Sequence, residues 1–125
     1  MPTGPPTILL ADDWYAALEV LEFLLRADGY EVVTAADGHE ALSVAASRAV
    51  DLVVTDYKMP GMNGLELCAR LQSDPQLSRI PIFLTSATYA VQRALPPGVI
   101  AFIPKPIHFP LLLEKIRSTL DGADR

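Results

Sequence analysis

Three carboxylates, a serine hydroxyl and a lysine ammonium stand at the ends of short apolar runs in this chain: Ile8-Leu9-Leu10-Ala11 runs into Asp12-Asp13, Leu52-Val53-Val54-Thr55 into Asp56, the run from Ile80 passes Thr85 to close on Ser86, and Val99 to Ile103 is followed by Lys105-Pro106. Carboxylates held a few Å apart repel one another, so acids gathered this way call for a divalent cation. Oxygen-only donors select a hard ion such as Mg²⁺. A phosphoryl group would complete the site, because the cation, the Lys105 ammonium and the Ser86 hydroxyl would spread positive charge and donors over its equatorial oxygens. An acidic pair on its own is as often a solvated loop. The chemistry is carried by all these groups at strand ends of one sheet.

That convergence requires the apolar runs to be parallel strands. Between Tyr15 and Ala27, Leu18, Leu21 and Leu25 recur at helical spacing, and Gly29 follows where a helix end favours positive φ. Glu31 to Ala35 reads as a short β-branched strand. Asp37-Gly38 then punctuates the chain before Ala41, Leu42, Ala45 and Ala46 repeat with a helical period. A third helix is expected over Gly64 to Gln72, a strand over Ile80 to Ser86, and a last helix from Pro110 to Leu120 with Leu113, Ile116 and Leu120 facing inward. The segment from Ala87 to Gly98 leaves room for about two helical turns, and Pro96-Pro97 biases Leu95 away from helix. A fourth helix there is short or irregular. Apolar strands alternating with helices describe an α/β doubly wound parallel sheet covered on both faces, with its ligand site outside the carboxyl ends of the strands. Pro104 fits the end of a strand at the sheet edge, where its missing amide proton is not needed.

The chain's 125 residues suit one domain, and half of them are hydrophobic, enough for a folded core. Fifteen acids against ten bases give a net charge of -5, which repels phosphate backbones and argues against direct nucleic-acid binding. Cys68 is the only cysteine, so neither an internal disulfide nor a cysteine zinc site can form, and a reducing compartment is expected. Met1 to Thr7 is Pro-rich and uncharged, and apolar runs stop at five residues, too short for a signal peptide or a membrane-spanning helix. A cytoplasmic protein without membrane insertion is expected. His39 and His108 read as surface and loop residues, and Cys68 as a small core residue.

The motifs Asp12-Asp13, Asp56-Tyr57-Lys58-Met59-Pro60-Gly61-Met62-Asn63-Gly64, Ser86-Ala87 and Lys105-Pro106 together resemble the receiver domain of two-component response regulators. The resemblance runs from Ile8 to Leu120. It implies a receiver domain over residues 8–120, between a flexible leader (1–7) and a C-terminal tail (121–125), with the flavodoxin-like three-layer fold and strand order 2-1-3-4-5. It also implies that Asp56 is the phosphoacceptor, that Asp13 binds Mg²⁺ directly and Asp12 through water, and that Lys58 offers the metal its backbone carbonyl. Ser86 becomes the switch hydroxyl, Lys105 pairs with phosphoryl oxygens, and Lys105-Pro106 is expected to be cis. The implied partner is a sensor histidine kinase or histidine phosphotransfer protein, with a homodimer or a downstream output protein as the further partner. Lys58 and Thr88, two positions after Asp56 and Ser86, are the side chains expected to gate the water that removes the phosphoryl group.

The sequence departs from that pattern in two places. Phe102 stands at the aromatic switch position, where the family often has Tyr, and it lacks a hydroxyl to bind a backbone carbonyl. The short segment after Ser86 alters the surface that resembling proteins use for dimerisation and output. Two other functions compete. A pseudo-receiver would keep the fold and act by constitutive interaction, but the full set Asp12, Asp13, Asp56, Ser86 and Lys105 argues against it. A phosphohydrolase with an aspartyl nucleophile tends to carry its acids after the first strand, two residues apart, whereas here they are adjacent and Asp56 stands alone after the third. Trp14, the only tryptophan, follows the acidic pair and is expected near the metal.

Overall fold

The apolar runs become strands whose successive residues pack to opposite sides. The computed structural model describes residues 4–123. In chain order the elements are β1 (Thr7–Ala11), α1 (Tyr15–Ala27), β2 (Glu31–Ala35), α2 (Gly38–Ser47), β3 (Leu52–Asp56), α3 (Gly64–Gln72), β4 (Ile82–Ser86), a 3₁₀ helix (Tyr89–Ala94), β5 (Val99–Pro104) and α4 (Phe109–Ala123). The strands form one parallel sheet in the order β2-β1-β3-β4-β5, as expected from the sequence. Strand order reverses between β1 and β3, so the crevice at their carboxyl ends is where a ligand site belongs.

Alternation along the strands feeds two cores. Leu9, Ala11, Val53 and Ile82 pack beneath α2 and α3 against Ala41, Ala45, Leu67, Cys68 and Leu71. Ile8, Leu10, Leu52, Val54 and Phe83 pack on the other face against Leu18 and Leu25 of α1 and Leu112, Ile116 and Leu120 of α4. Both faces of the sheet are therefore buried, which is why its central strands read as unbroken apolar runs.

Several boundaries move for local reasons. The sheet begins at Thr7 rather than Ile8: Thr7 exchanges bonds with Asp51 (amide to Oδ2 2.8 Å, carbonyl to the Asp51 amide 2.8 Å), and the Pro6 carbonyl accepts from Glu31. α4 runs on to Ala123, so residues 121–123 of the expected tail are helical; residues 1–3 of the expected leader and 124–125 of the tail lie outside the described residues. β4 starts at Ile82, not Ile80, because the Ile80 amide closes a turn onto the Leu77 carbonyl and Pro81 has no amide proton. α4 starts one residue early, at Phe109, and its inward stripe is Leu112, Ile116 and Leu120, with Leu113 only half-buried. Leu112 replaces Leu113 as the first core residue because spacing of four keeps all three on one face.

The segment after β4 is a six-residue 3₁₀ helix, and Leu95 is extended (φ -68°, ψ 127°) before Pro96. β5 lies at the edge, extends to Pro104, and slips register against β4 between Ile82 and Phe83. Ile116 is fully buried at the centre of the α4 face. Ile116→Ala is expected to lower the unfolding free energy by about 2–5 kcal/mol, read from the urea midpoint at unchanged slope.

Candidate functional site

Three loops at the carboxyl edge of the sheet build the site. Asp12 follows β1 and is tied down twice: its Oδ1 accepts the Trp14 amide at 2.9 Å and its Oδ2 accepts Lys105 Nζ at 2.9 Å. Asp56 ends β3, with Oδ1 accepting the Tyr57 amide at 2.9 Å and Oδ2 paired with Lys105 Nζ at 3.1 Å. Lys105 thus reaches from the end of β5 across to β1 and β3. Asp13 is exposed, and one oxygen each of Asp12, Asp13 and Asp56 lies within 4.8 Å of the others.

The backbone around these groups is anchored. The Tyr57 amide bonds the Thr85 carbonyl (2.9 Å), the Gly64 amide bonds the Tyr57 carbonyl (2.8 Å), and the Lys105 amide bonds the Ser86 carbonyl (3.0 Å). Asn63 and Glu66 form a reciprocal capping box at the start of α3, which fixes where the loop from Asp56 re-enters helix. Gly64 is required there, since a Cβ would run into the Asp56 carbonyl and come within 3.0 Å of Tyr57 Cα. This role of Asn63 and Glu66 is not among the expectations from sequence, although their spacing is the ordinary signature of a capping box.

Charge makes the cluster costly. Asp12 and Asp56 are only 6% and 7% exposed, and three carboxylates face one ammonium, leaving two formal negative charges in excess. Burial, followed by repulsion from Asp12, raises the Asp56 pKa above its ordinary value despite the opposing pull of Lys105 and the Tyr57 amide. For Lys105, burial acts to lower the pKa, but its hydrogen bonds and charge contacts with Asp12 and Asp56 outweigh that and raise it. Lys105 is therefore a firmly charged ammonium. The donor set, all carboxylate oxygen with excess negative charge and one ligand open to solvent, fits a hard divalent cation of the Mg²⁺ type.

Ser86 is buried, and its Oγ accepts the Thr88 amide at 2.9 Å. Phe102 is half-buried, and its ring is tilted 49° to that of Tyr89 at 6.0 Å between centroids. Lys58 is exposed and lines a shallow bay with Asp13, Tyr57, Met59, Pro60 and Asn63. Trp14 is 67% exposed and, with Val20, Leu24, Pro106 and Ile107, walls an apolar groove of about 380 Å³ that opens beside Asp12 and Lys105. The Lys105-Pro106 bond is cis, as expected. His39 and His108 are exposed and Cys68 is fully buried, its thiol pushed up to about 11 by burial. Among the described residues no helix is long and apolar enough to cross a membrane.

A parallel sheet of this order carries an acidic triad and a lysine at its carboxyl edge, where doubly wound folds place their ligand sites. The chain matches the response regulator receiver domain over residues 8–117, and it belongs to that family of two-component signalling proteins. It is 39% identical over 114 residues to the response regulator PleD of Caulobacter vibrioides, covering 89% of this chain and 25% of PleD. It thus spans about a quarter of that relative's length. The polar-differentiation response regulator DivK of Brucella anthropi is 32% identical over 123 residues, 95% of this chain and 99% of DivK. The fold superposes with a TM-score of 0.84 on the response regulator TrrA of Thermotoga maritima, solved in complex with Mg²⁺-BeF, at 32% identity over 92% of this chain and 99% of that one. The chain carries a receiver domain of two-component signalling proteins.

The raised pKa of Asp56 has a consequence for stability. The folded state holds this proton more tightly than the unfolded state, so the stabilisation is fully present below the ordinary pKa of 3.8 and is lost as pH rises through the folded value. Asp56→Asn, which removes the charge, is therefore expected to raise the thermal midpoint in metal-free buffer at pH 7. The advantage over the parent should vanish below 3.8, where Asp56 is neutral in both folded and unfolded parent. A lower midpoint for the variant at pH 7 would show that Lys105 more than offsets burial and Asp12.

Proposed function

We propose that Asp56 accepts a phosphoryl group from a phosphohistidine on a sensor histidine kinase or histidine phosphotransfer protein, and that the resulting charge change alters which partner the domain binds. The observation that carries this reading is the bridged cluster: Asp56 Oδ2 on Lys105, Lys105 on Asp12, and Asp13 completing an oxygen triad within 4.8 Å. Asp12, Asp13, Asp56 and the Lys58 carbonyl would hold the cation. When bound, Mg²⁺ supplies charge neutralisation for the carboxylates and for the oxygens of the phosphoryl group in flight.

A carboxylate oxygen of Asp56 attacks phosphorus in line. The new O–P bond forms as the N–P bond to the donor imidazole breaks, and the leaving ring nitrogen takes a proton from water. Lys105 exchanges its bond to the Asp56 carboxylate for one to a phosphoryl oxygen, keeping its charge throughout. Ser86 rotates to donate its hydroxyl proton to another phosphoryl oxygen. Hydrolysis later returns the free carboxylate and phosphate, with Lys58 and Thr88 flanking the path of the attacking water. The apolar groove beside Trp14 and Pro106 supplies a resting place for a donor protein next to the acids. A homodimer or an output protein is the proposed partner of the phosphorylated form.

Phosphoramidate, a small donor with an N–P bond, tests the acceptor. In Mg²⁺ the parent chain should take up one base-labile phosphoryl group, Asp56→Asn none, and Lys105→Ala should react about 10²-fold more slowly for want of its fixed charge. Failure of the parent to label, with the fold intact, would support the pseudo-receiver instead. Equal labelling of Asp56→Asn would assign the acceptor elsewhere.

A further inference from the structure

The Ser86 side chain is already occupied in this structure. Its Oγ accepts the Thr88 amide at 2.9 Å, and Thr88 is the residue that opens the 3₁₀ helix. The next residue, Tyr89, is 63% exposed, yet its ring is tilted against Phe102 with centroids 6.0 Å apart, a separation typical of attractive aromatic pairs. A single hydrogen bond therefore links the end of β4 to the segment that carries the partner of Phe102. Val91 is buried, but the polar anchoring at the segment's start is weak: the bond from the Val91 amide to the Thr88 carbonyl is 3.3 Å, and the helix has no side-chain cap. It is six residues long, of the 3₁₀ type, and followed directly by two prolines. Short 3₁₀ segments have poor hydrogen-bond geometry and reorganise at little cost.

Resting on the reading of Asp56 as phosphoacceptor, we infer that Tyr89 is a positioning residue for Phe102 and is released when Ser86 turns to the phosphoryl group. Rotation of Ser86 about its Cα–Cβ bond moves Oγ away from the Thr88 amide. The start of the 3₁₀ helix loses its anchor, and Tyr89 no longer covers the Phe102 ring. The pair takes over a task that a hydroxyl on Phe102 would otherwise perform. Phe102 is held in its resting position by a neighbouring ring instead of by a hydrogen bond of its own. Release would change the surface presented by the 3₁₀ helix and β5 through exposed aromatic area rather than through charge.

Amide hydrogen exchange resolved to single residues tests this, with beryllofluoride and Mg²⁺ as the probe. On binding, exchange at Thr88 and Val91 should rise about two- to tenfold, the range set by losing one ordinary hydrogen bond. In Ser86→Ala the Thr88 amide should exchange at that faster rate with or without the probe. Tyr89→Ala should shift the Phe102 ring resonances of the probe-free protein toward their positions in the bound parent, whereas Tyr89→Phe, which keeps the ring, should match the parent in both states. Bound beryllofluoride with unchanged exchange at Thr88 would overturn the inference and leave the function of Asp56 standing. Absence of any beryllofluoride binding by the parent would overturn both. Phe102 resonances in Tyr89→Ala that stay where Tyr89→Phe has them would remove Tyr89 from the switch.

Discussion

The pairing of Lys105 with both Asp12 and Asp56 is the interaction on which the rest of the site depends. One ammonium cannot neutralise three carboxylates, yet it is enough to hold two of them buried at the end of a closely packed sheet. Removing it would leave uncompensated buried charge, which is far more costly than the pair itself is favourable. The arrangement also spans the fold. Lys105 follows the edge strand, Asp12 follows β1 and Asp56 ends β3, so the lysine ties the edge of the sheet to its centre. The excess negative charge is what makes the cluster receptive to a cation, and through it to a phosphoryl group.

The remainder of the architecture keeps those groups in register. Two cores, one on each face, bury the central strands β3 and β4 throughout, and the carboxyl ends finish together because β1, β3 and β4 pair residue for residue up to the acids. The loop after Asp56 is closed by the Asn63–Glu66 box and by the bare backbone of Gly64. The far edge is paired along its length but irregular. β5 slips register against β4, and a 3₁₀ turn stands before it in place of a full helix. A short 3₁₀ segment beside an edge strand offers a place where a local chemical event at the strand ends could change the surface.

Most of this was legible in the sequence because it depends on period and punctuation. Unbroken apolar runs ending in acids gave the strands and their functional ends, and the 3.6-residue spacing of Leu18, Leu21 and Leu25 gave the first helix. Pro96-Pro97 announced that the segment after Ser86 would not make a full helix. Effects that depend on a single residue of phase were not legible. Leu112 rather than Leu113 enters the core because α4 starts at Phe109, and β4 begins after Pro81 because a turn captures the Ile80 amide. The Tyr89–Phe102 contact joins a 3₁₀ turn to a strand whose register slips, and no local pattern encodes that combination. The bond between Ser86 and the Thr88 amide was likewise hidden, since a serine at a strand end has several equivalent ways to satisfy its hydroxyl.

The central claim is that the cluster takes a phosphoryl group on Asp56 only when a divalent cation balances its charge. It is tested most directly by locating the group. The chain would be incubated with acetyl phosphate across a Mg²⁺ titration, its phosphorylated fraction read by intact mass, and the modified position mapped by peptide sequencing after borohydride reduction of the acyl phosphate. The account predicts a fraction that is negligible in EDTA and saturates with Mg²⁺, with reduction confined to Asp56. Labelling that is equal with and without the cation, or that maps to any other residue, would contradict it.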